Sequence, residues 1–365
     1  MLYYVSHINN RDKLFNLSHL GLIMDFWLPL FTTFSFSLLA IKLINPIAIK
    51  AGLVDLPCDR KVHDGNIPLV GGIAIYLAVL TASVLFIEHS RDLNLYLVAS
   101  ALVLFLGALD DRYRLSVRVR LVAQILVSSL IIFGTEIYLT SLGFLLGNIE
   151  LKLGVLGIVV TVIAIIAGIN AINMIDGMDG LAGMLSLIAF AALAFLLSRV
   201  ASAWYLLPLL FIASLLGYLI FNLKHHTSSS KIFMGDAGNM LIGLTLIWLM
   251  VIGIELKSPA LKPVTALYII AVPIMDMVAV IIRRVKEKKS PFLADRQHLH
   301  HLFTEFGISR KHTLIVISIV ASILAAIGCL AEVYLVPEWI MLLLFLALFC
   351  VYAVCTDKAW NKIKS

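Results

Sequence analysis

VLGIVVTVIAIIAGINAINMIDGMDG, residues 155–180, is the stretch that decides the fold. Its first fifteen residues carry no charge and, apart from Thr161, no polar side chain. An apolar run of this kind approaches the ~20 residues a helix needs to cross a bilayer core. It lacks the strict alternation of a membrane strand, so the expectation is a transmembrane helix. Polar residues then arrive at every third position: Asn170, Asn173, Asp176 and Asp179. Steps of three on a helix turn by ~300°, so these four sweep about half a turn. Gly177 and Gly180 are expected to break the helix and let the carboxylates converge beyond its end. Amides and carboxylates that close an apolar span are costly in lipid and mark function.

The same apolar block recurs along the chain. Hydrophobic residues make up 61% of the 365 and charged residues 14%, against ~45–50% and ~25% in soluble domains. Eleven spans are expected, at roughly 26–45, 68–87, 93–109, 118–139, 155–173, 180–198, 203–222, 237–255, 264–282, 313–331 and 336–355. The fold class is therefore all-α, a polytopic membrane protein whose residues 24–365 form a single transmembrane domain. Residues 1–23 read as an N-terminal extension without a signal-peptide pattern, and Met24 is a candidate for the true start. The four cysteines, Cys58, Cys329, Cys350 and Cys355, have no metal-ligand spacing and read as free or buried thiols.

Loops after odd-numbered spans hold twenty of the 28 lysines and arginines. The positive-inside rule puts that set in the cytoplasm, with the N-terminus periplasmic and the C-terminus cytoplasmic. The net charge of +6 is thus a topology signal spread over short loops, and no nucleic-acid partner is implied.

Every polar cluster falls on the cytoplasmic set. Val54-Asp55-Leu56-Pro57 leads to Arg60-Lys61-Val62-His63, then Pro68 and Gly71-Gly72, which alone reads as an ordinary basic loop. Asp110-Asp111 ends the third span. Adjacent carboxylates repel, and a helix C-terminus disfavours them, so a hard cation is the natural partner. Lys231-Ile-Phe233-Met-Gly235-Asp236-Ala-Gly238-Asn239 leads into the eighth span; Phe233 has the ring to stack on a base or to anchor in the interface. After the ninth span come Arg283-Arg284, a basic run, and Asp295-Arg296-Gln297-His298-Leu299-His300-His301. With no cysteine and few acids near, the histidines read as anion ligands rather than zinc ligands. Asp276, inside the ninth span, reads as structural. Carboxylates, arginines, histidines and an aromatic on one face, without a Walker loop or hydroxyl triad, equip a Mg²⁺-assisted phosphoryl transfer.

These motifs resemble the bacterial polyprenyl-phosphate N-acetylhexosamine-1-phosphate transferases, relatives of phospho-MurNAc-pentapeptide translocase. The likeness covers about residues 24–360 and runs through five motifs in order: Val-Asp-x-Pro-x-x-Arg-Lys-x-His, Asp110-Asp111, Asn-Ala-x-Asn-x-x-Asp-Gly-x-Asp-Gly, Phe-Met-Gly-Asp-Ala-Gly, and His-x-His-His. The 295–301 segment and the Asn222–Asp236 spacing are most similar to the branch that uses UDP-GlcNAc and undecaprenyl phosphate. The resemblance implies transfer of GlcNAc-1-phosphate with release of UMP, at the start of O-antigen, enterobacterial common antigen or related polysaccharide synthesis. It implies a multi-pass enzyme of the bacterial inner membrane with its active site facing the cytoplasm, and it leaves room for a homodimer. The implied cofactor is Mg²⁺, with Mn²⁺ as a substitute. Asp236 is the implied metal ligand, helped by Asp110, Asp111 or Asp176. Catalytic roles fall to Asp110, Asp111, Asp176 and Asp179, and substrate binding to Lys61, Asn173, Phe233, Arg284, Arg296, His298, His300 and His301. Phe233 and Asp179 are expected to meet the uridine.

Three positions depart from the pattern. Arg114 stands where the family often has a third acid, Asn239 replaces a serine, and the 224–230 segment is unusually polar. The lipid phosphate is mostly dianionic at cytoplasmic pH, so it needs charge neutralisation more than a base. A covalent phosphoaspartyl route through Asp110 or Asp111 is the alternative. A transporter would place its polar groups at midplane. A CDP-alcohol phosphatidyltransferase would follow Asp-Gly with Ala-Arg, where this chain has Met178-Asp179-Gly180.

Overall fold

The computed structural model describes residues 26–55, 66–224, 230–291 and 297–364. The described chain is helical apart from a two-stranded hairpin, β1 (Val54–Asp55) and β2 (Ile67–Pro68), and two isolated bridges in the 136–155 connection. The helices are α1 (Leu28–Ala51), α2 (Gly71–Phe86), α3 (Arg91–Tyr113), α4 (Val117–Thr135), α5 (Leu156–Ile175), α6 (Leu181–Arg199), α7 (Leu206–Asn222), α8 (Gly235–Glu255), α9 (Pro263–Ile269), α10 (Ala271–Lys286), α11 (Leu299–Glu305), α12 (Arg310–Val333) and α13 (Glu338–Lys364). This is an all-α polytopic membrane protein.

Among the described residues, nine helices are long and apolar enough to cross a membrane. Two of the eleven expected spans differ. The second, α2, has only 16 residues. The ninth is not one rod: α9 and α10 meet at an 85° bend. Pro273, in the first turn of α10, lacks the N–H that would continue the ladder back to Ile269. The third span also runs further than expected, through Tyr113, so Asp110 and Asp111 lie in its last turn.

α8 is the axis of the bundle. All of its residues except Asp236, Ile254 and Glu255 are buried, as expected of a helix that is apolar all round. α2, α3 and α5 pack directly on it. Small residues permit this closeness. A methyl added at Gly107 of α3 would overlap the backbone of Ala237, and one at Gly72 of α2 would overlap Gly238. The approach at Gly107 brings the end of α3, with its paired carboxylates, to the start of α8.

Candidate active site

The ends of α3, α5, α7, α8 and α10 surround one cleft of about 1460 Å³. Each wall is fixed by a local device. Asp110 is buried: its Oδ1 accepts from the Leu115 amide (2.8 Å) and its Oδ2 from Arg120 Nη1 (2.9 Å). Asp111 reaches across to α8, accepting from the amides of Asp236 (2.8 Å) and Ala237 (3.2 Å). A carboxylate on the free amides of a helix N-terminus is favoured by hydrogen bonding and by the helix dipole. Gly235, at φ 75°, is needed there, since a Cβ would sit 2.6 Å from Asp111 Oδ2.

α5 ends at Ile175, and Gly180 opens α6 at φ 77°. The break expected at the two glycines is therefore present. It turns Asp176 to Asn239, whose Nδ2 donates to Asp176 Oδ2 (2.7 Å) and lies 3.5 Å from Asn173 Oδ1. Asp179 Oδ2 receives Lys231 Nζ at 2.8 Å. Lys231 is buried and also donates to the Lys224 carbonyl (3.0 Å). Asn222 ties these loops together, accepting from the Gly180 amide (2.6 Å) and donating to the Ile232 carbonyl (3.0 Å). Phe233 is held by its backbone, its N–H donating to Pro68 and its carbonyl accepting from Gly71 (both 2.9 Å). Its ring centroid lies 5.8 Å from the Lys231 ammonium.

The cationic wall comes from α10 and α11. Arg284 Nη1 donates to the Pro291 carbonyl (2.6 Å). His298 Nδ1 lies 2.7 Å from Asp276 Oδ2. His300 is buried between His298 and His301, with ring centroids 5.9 and 4.1 Å away. Neither of its ring nitrogens has a hydrogen-bond partner among the described residues. Burial, with two neighbouring imidazoles, pushes its pKa down to about 3.

Asp110, Asp111, Asn173, Asp176, Asp179, Phe233, Asp236, Arg284, His298, His300 and His301 thus all line one cleft. Lys61 and Arg296, also expected at the site, lie outside the described residues, as does the 1–23 extension. Several participants escaped the sequence reading. Nothing in the sequence singles out Arg120 among the loop cations or pairs Lys231 with Asp179 and Asn239 with Asp176, and Asp276 reads there as structural. A carboxylate inside an apolar helix was the available signal for Asp276.

The donors also bear on a metal. Among the described residues no group of three or more His, Cys, Asp or Glu could hold an ion unaided. Asp110 is occupied by Arg120, which leaves Asp111 and Asp236 as neighbouring carboxylates, with Asn173 beside Asp236. Two carboxylates with room for phosphate oxygens fit Mg²⁺, which takes one or two protein carboxylates and completes its shell with water and substrate.

The cleft is not polar throughout. Val117 and Leu121 of α4, Ile163, Ile166 and Ala167 of α5, and Met277 and Ile281 of α10 line it as well. Ile163 is 59% exposed, so this apolar wall continues onto the outer face of the bundle.

Residues 93–254 match glycosyl transferase family 4. Over 336 residues, 91% of each chain, the sequence is 42% identical to the undecaprenyl-phosphate alpha-N-acetylglucosaminyl 1-phosphate transferases of Salmonella typhi and of Escherichia coli K12. It is 40% identical to the protein of that name from Pasteurella multocida, over 92% of this chain and 94% of the relative. Likeness of this extent embraces every element that builds the cleft, and the chain belongs to glycosyl transferase family 4, among the polyprenyl-phosphate N-acetylhexosamine-1-phosphate transferases.

Proposed function

We propose that the protein transfers GlcNAc-1-phosphate from UDP-GlcNAc to undecaprenyl phosphate, forming undecaprenyl-diphospho-GlcNAc and releasing UMP, in a Mg²⁺-dependent reaction that starts synthesis of a cell-surface polysaccharide such as O-antigen or enterobacterial common antigen. The observation that carries this reading is the two-part cleft. Carboxylates and cations line one part, and the α4–α5–α10 apolar wall runs from there to the outer face. A reactant with a phosphate head and a long hydrocarbon tail suits that shape. The cleft lies among the loops richest in Lys and Arg, which supports an inner-membrane orientation with the site facing the cytoplasm.

Asp111 and Asp236 would hold the Mg²⁺, which supplies neutralisation of the diphosphate when bound. Mn²⁺ offers the same oxygen chemistry. Arg284 and the histidines face the anionic groups from the other wall. Phe233 and Asp179, joined through Lys231, form the natural seat for the nucleobase. The phosphate monoester of the lipid attacks the phosphorus attached to the sugar. One phosphoanhydride bond forms as another breaks, with UMP leaving, so the reaction is near thermoneutral. Both oxygens of Asp110 and both of Asp111 already accept hydrogen bonds. This favours single-step attack over a phosphoaspartyl intermediate.

Purified protein incubated with radiolabelled UDP-GlcNAc, undecaprenyl phosphate and Mg²⁺ is expected to give a labelled lipid. EDTA should block its formation, and added UMP, but not UDP, should reverse it. Release of UDP would mean ordinary glycosyl transfer and defeat the reading. Product from another UDP-sugar alone would keep the chemistry and change the donor. Inversion at the transferred phosphorus is expected; net retention would require the covalent route.

A further inference from the structure

Asp276 does more than fill a buried position. It is 1% exposed, yet three donors from three parts of the chain converge on its carboxylate. Oδ1 accepts from the Leu299 amide (3.0 Å) and from the Tyr352 hydroxyl (2.8 Å), and Oδ2 faces His298 Nδ1 (2.7 Å). Leu299 opens α11, and Tyr352 belongs to α13, an otherwise peripheral helix whose apolar window is only 17% buried. One turn further along α13, Thr356 accepts from Arg283 Nη1 (3.2 Å), while Arg283 Nη2 holds the Gln297 carbonyl (2.6 Å). The residues flanking His298 are therefore clamped from α10 and α13 together.

We propose that Asp276, braced by Tyr352, is a positioning residue that fixes the tautomer and direction of His298 for the reaction. This deepens the transferase reading and rests on it. A carboxylate can only accept, so the proton shared with Asp276 belongs to Nδ1 of His298. Nε2 is then the nitrogen left for the cleft that His298 lines. The ring can present Nε2–H to a phosphate oxygen only as an imidazolium, with Asp276 as its counter-charge. The charged and titratable groups around the pair are Arg283 and Arg284 on α10, His300 and His301 on α11, and Tyr352 on α13. Partners that orient metal-ligating histidines carry ~10–100-fold effects, and the lower end of that range is the expectation for His298.

The test uses the full-length protein in detergent. Histidine ¹⁵N NMR, with the His298 signal assigned by its loss in His298→Gln, reads the protonation of Nδ1 without turnover. A protonated Nδ1 is expected in the unmutated protein. A bare Nδ1 there overturns the proposal, whether or not the variants fold and whether or not GlcNAc is the sugar. In Asp276→Asn the amide can donate to Nδ1, the tautomer should reverse, and kcat should fall at least ~10-fold. Tyr352→Phe keeps the carboxylate and should keep the tautomer. If Asp276→Asn is folded and shows the wild-type tautomer, Asp276 is merely structural.

Discussion

Replacing Asp111 by Asn separates two duties that the structure puts on one carboxylate. Asp111 accepts the Asp236 and Ala237 amides at the start of α8. Hydrogen bonds to a charged acceptor are worth ~1.5–3 kcal/mol each. Asn keeps one oxygen for the closer Asp236 amide and turns an NH₂ against that of Ala237, so about one bond is lost. The missing charge forfeits its place at the helix dipole but also relieves repulsion from Asp236 and Asp110, so the charge itself adds no further loss. The expected destabilisation is thus ~1.5–3 kcal/mol, read as a lower midpoint when the purified protein is titrated with SDS and followed by far-UV circular dichroism. Gly235→Ala should approach the same loss by another route. It forces a left-handed residue at ~1–2 kcal/mol and sets a methyl 2.6 Å from Asp111 Oδ2. The second duty is the proposed metal: at matched fold, Asp111→Asn should need more Mg²⁺ for half-maximal transfer. An unfolding midpoint identical to wild type would refute the capping argument, and an unchanged Mg²⁺ response would remove Asp111 from the metal site.

Other perturbations test separate parts of the site. Gly107→Val forces a side chain into the Ala237 backbone and should cost ~1–3 kcal/mol or abolish folding, seen as loss of monodisperse protein on size exclusion. Lys231→Met takes the ammonium from Asp179; Asp179 is one-fifth exposed, so ~3 kcal/mol is expected, together with a higher KM for the nucleotide sugar. The unfolded chain protonates His300 at the ordinary value of 6.5, whereas the folded chain refuses the proton until about 3. Stability should therefore fall as pH drops below 6.5, by up to ~1.4 kcal/mol per unit, and His300→Asn should flatten that slope. Chelation by EDTA should stop transfer yet leave the circular dichroism unchanged, since amides rather than an ion hold Asp111 against α8; melting of helix on chelation would contradict this.

The sequence exposes most of the membrane architecture because lipid makes the signal local. A span must satisfy its own backbone and present apolar side chains, so residues 155–173 declare themselves without knowledge of their neighbours. The carboxylates at their end are legible for the same reason: nothing else would keep Asp176 and Asp179 beside an apolar run. Local rules fail where geometry depends on a partner. The sequence of α8 suggests a span but not that it forms the axis, because that follows from glycines on α2 and α3 that admit its backbone. The bend between α9 and α10 is similar. Pro273 permits it, but a proline within an apolar run is compatible with a straight, kinked or broken helix.

The roles of charged residues divide along the same line. Asp236 and Asp276 are both lone acids in apolar helices, and composition gives no way to rank them. Contacts do. Asp236 stands beside Asp111, a second carboxylate, and so calls for a cation. Asp276 is surrounded by an imidazole, an amide and a phenol, and so is already satisfied by the protein. The first arrangement is costly until something positive arrives, which is the property of a binding site. The second is stable as it stands, which is the property of a scaffold, and the role proposed for it in the reaction passes through His298. Arg120 makes the same point from the other sign. Paired with Asp110, it cancels one of three clustered carboxylates, so the pair left over, Asp111 and Asp236, is the one proposed to take the divalent ion.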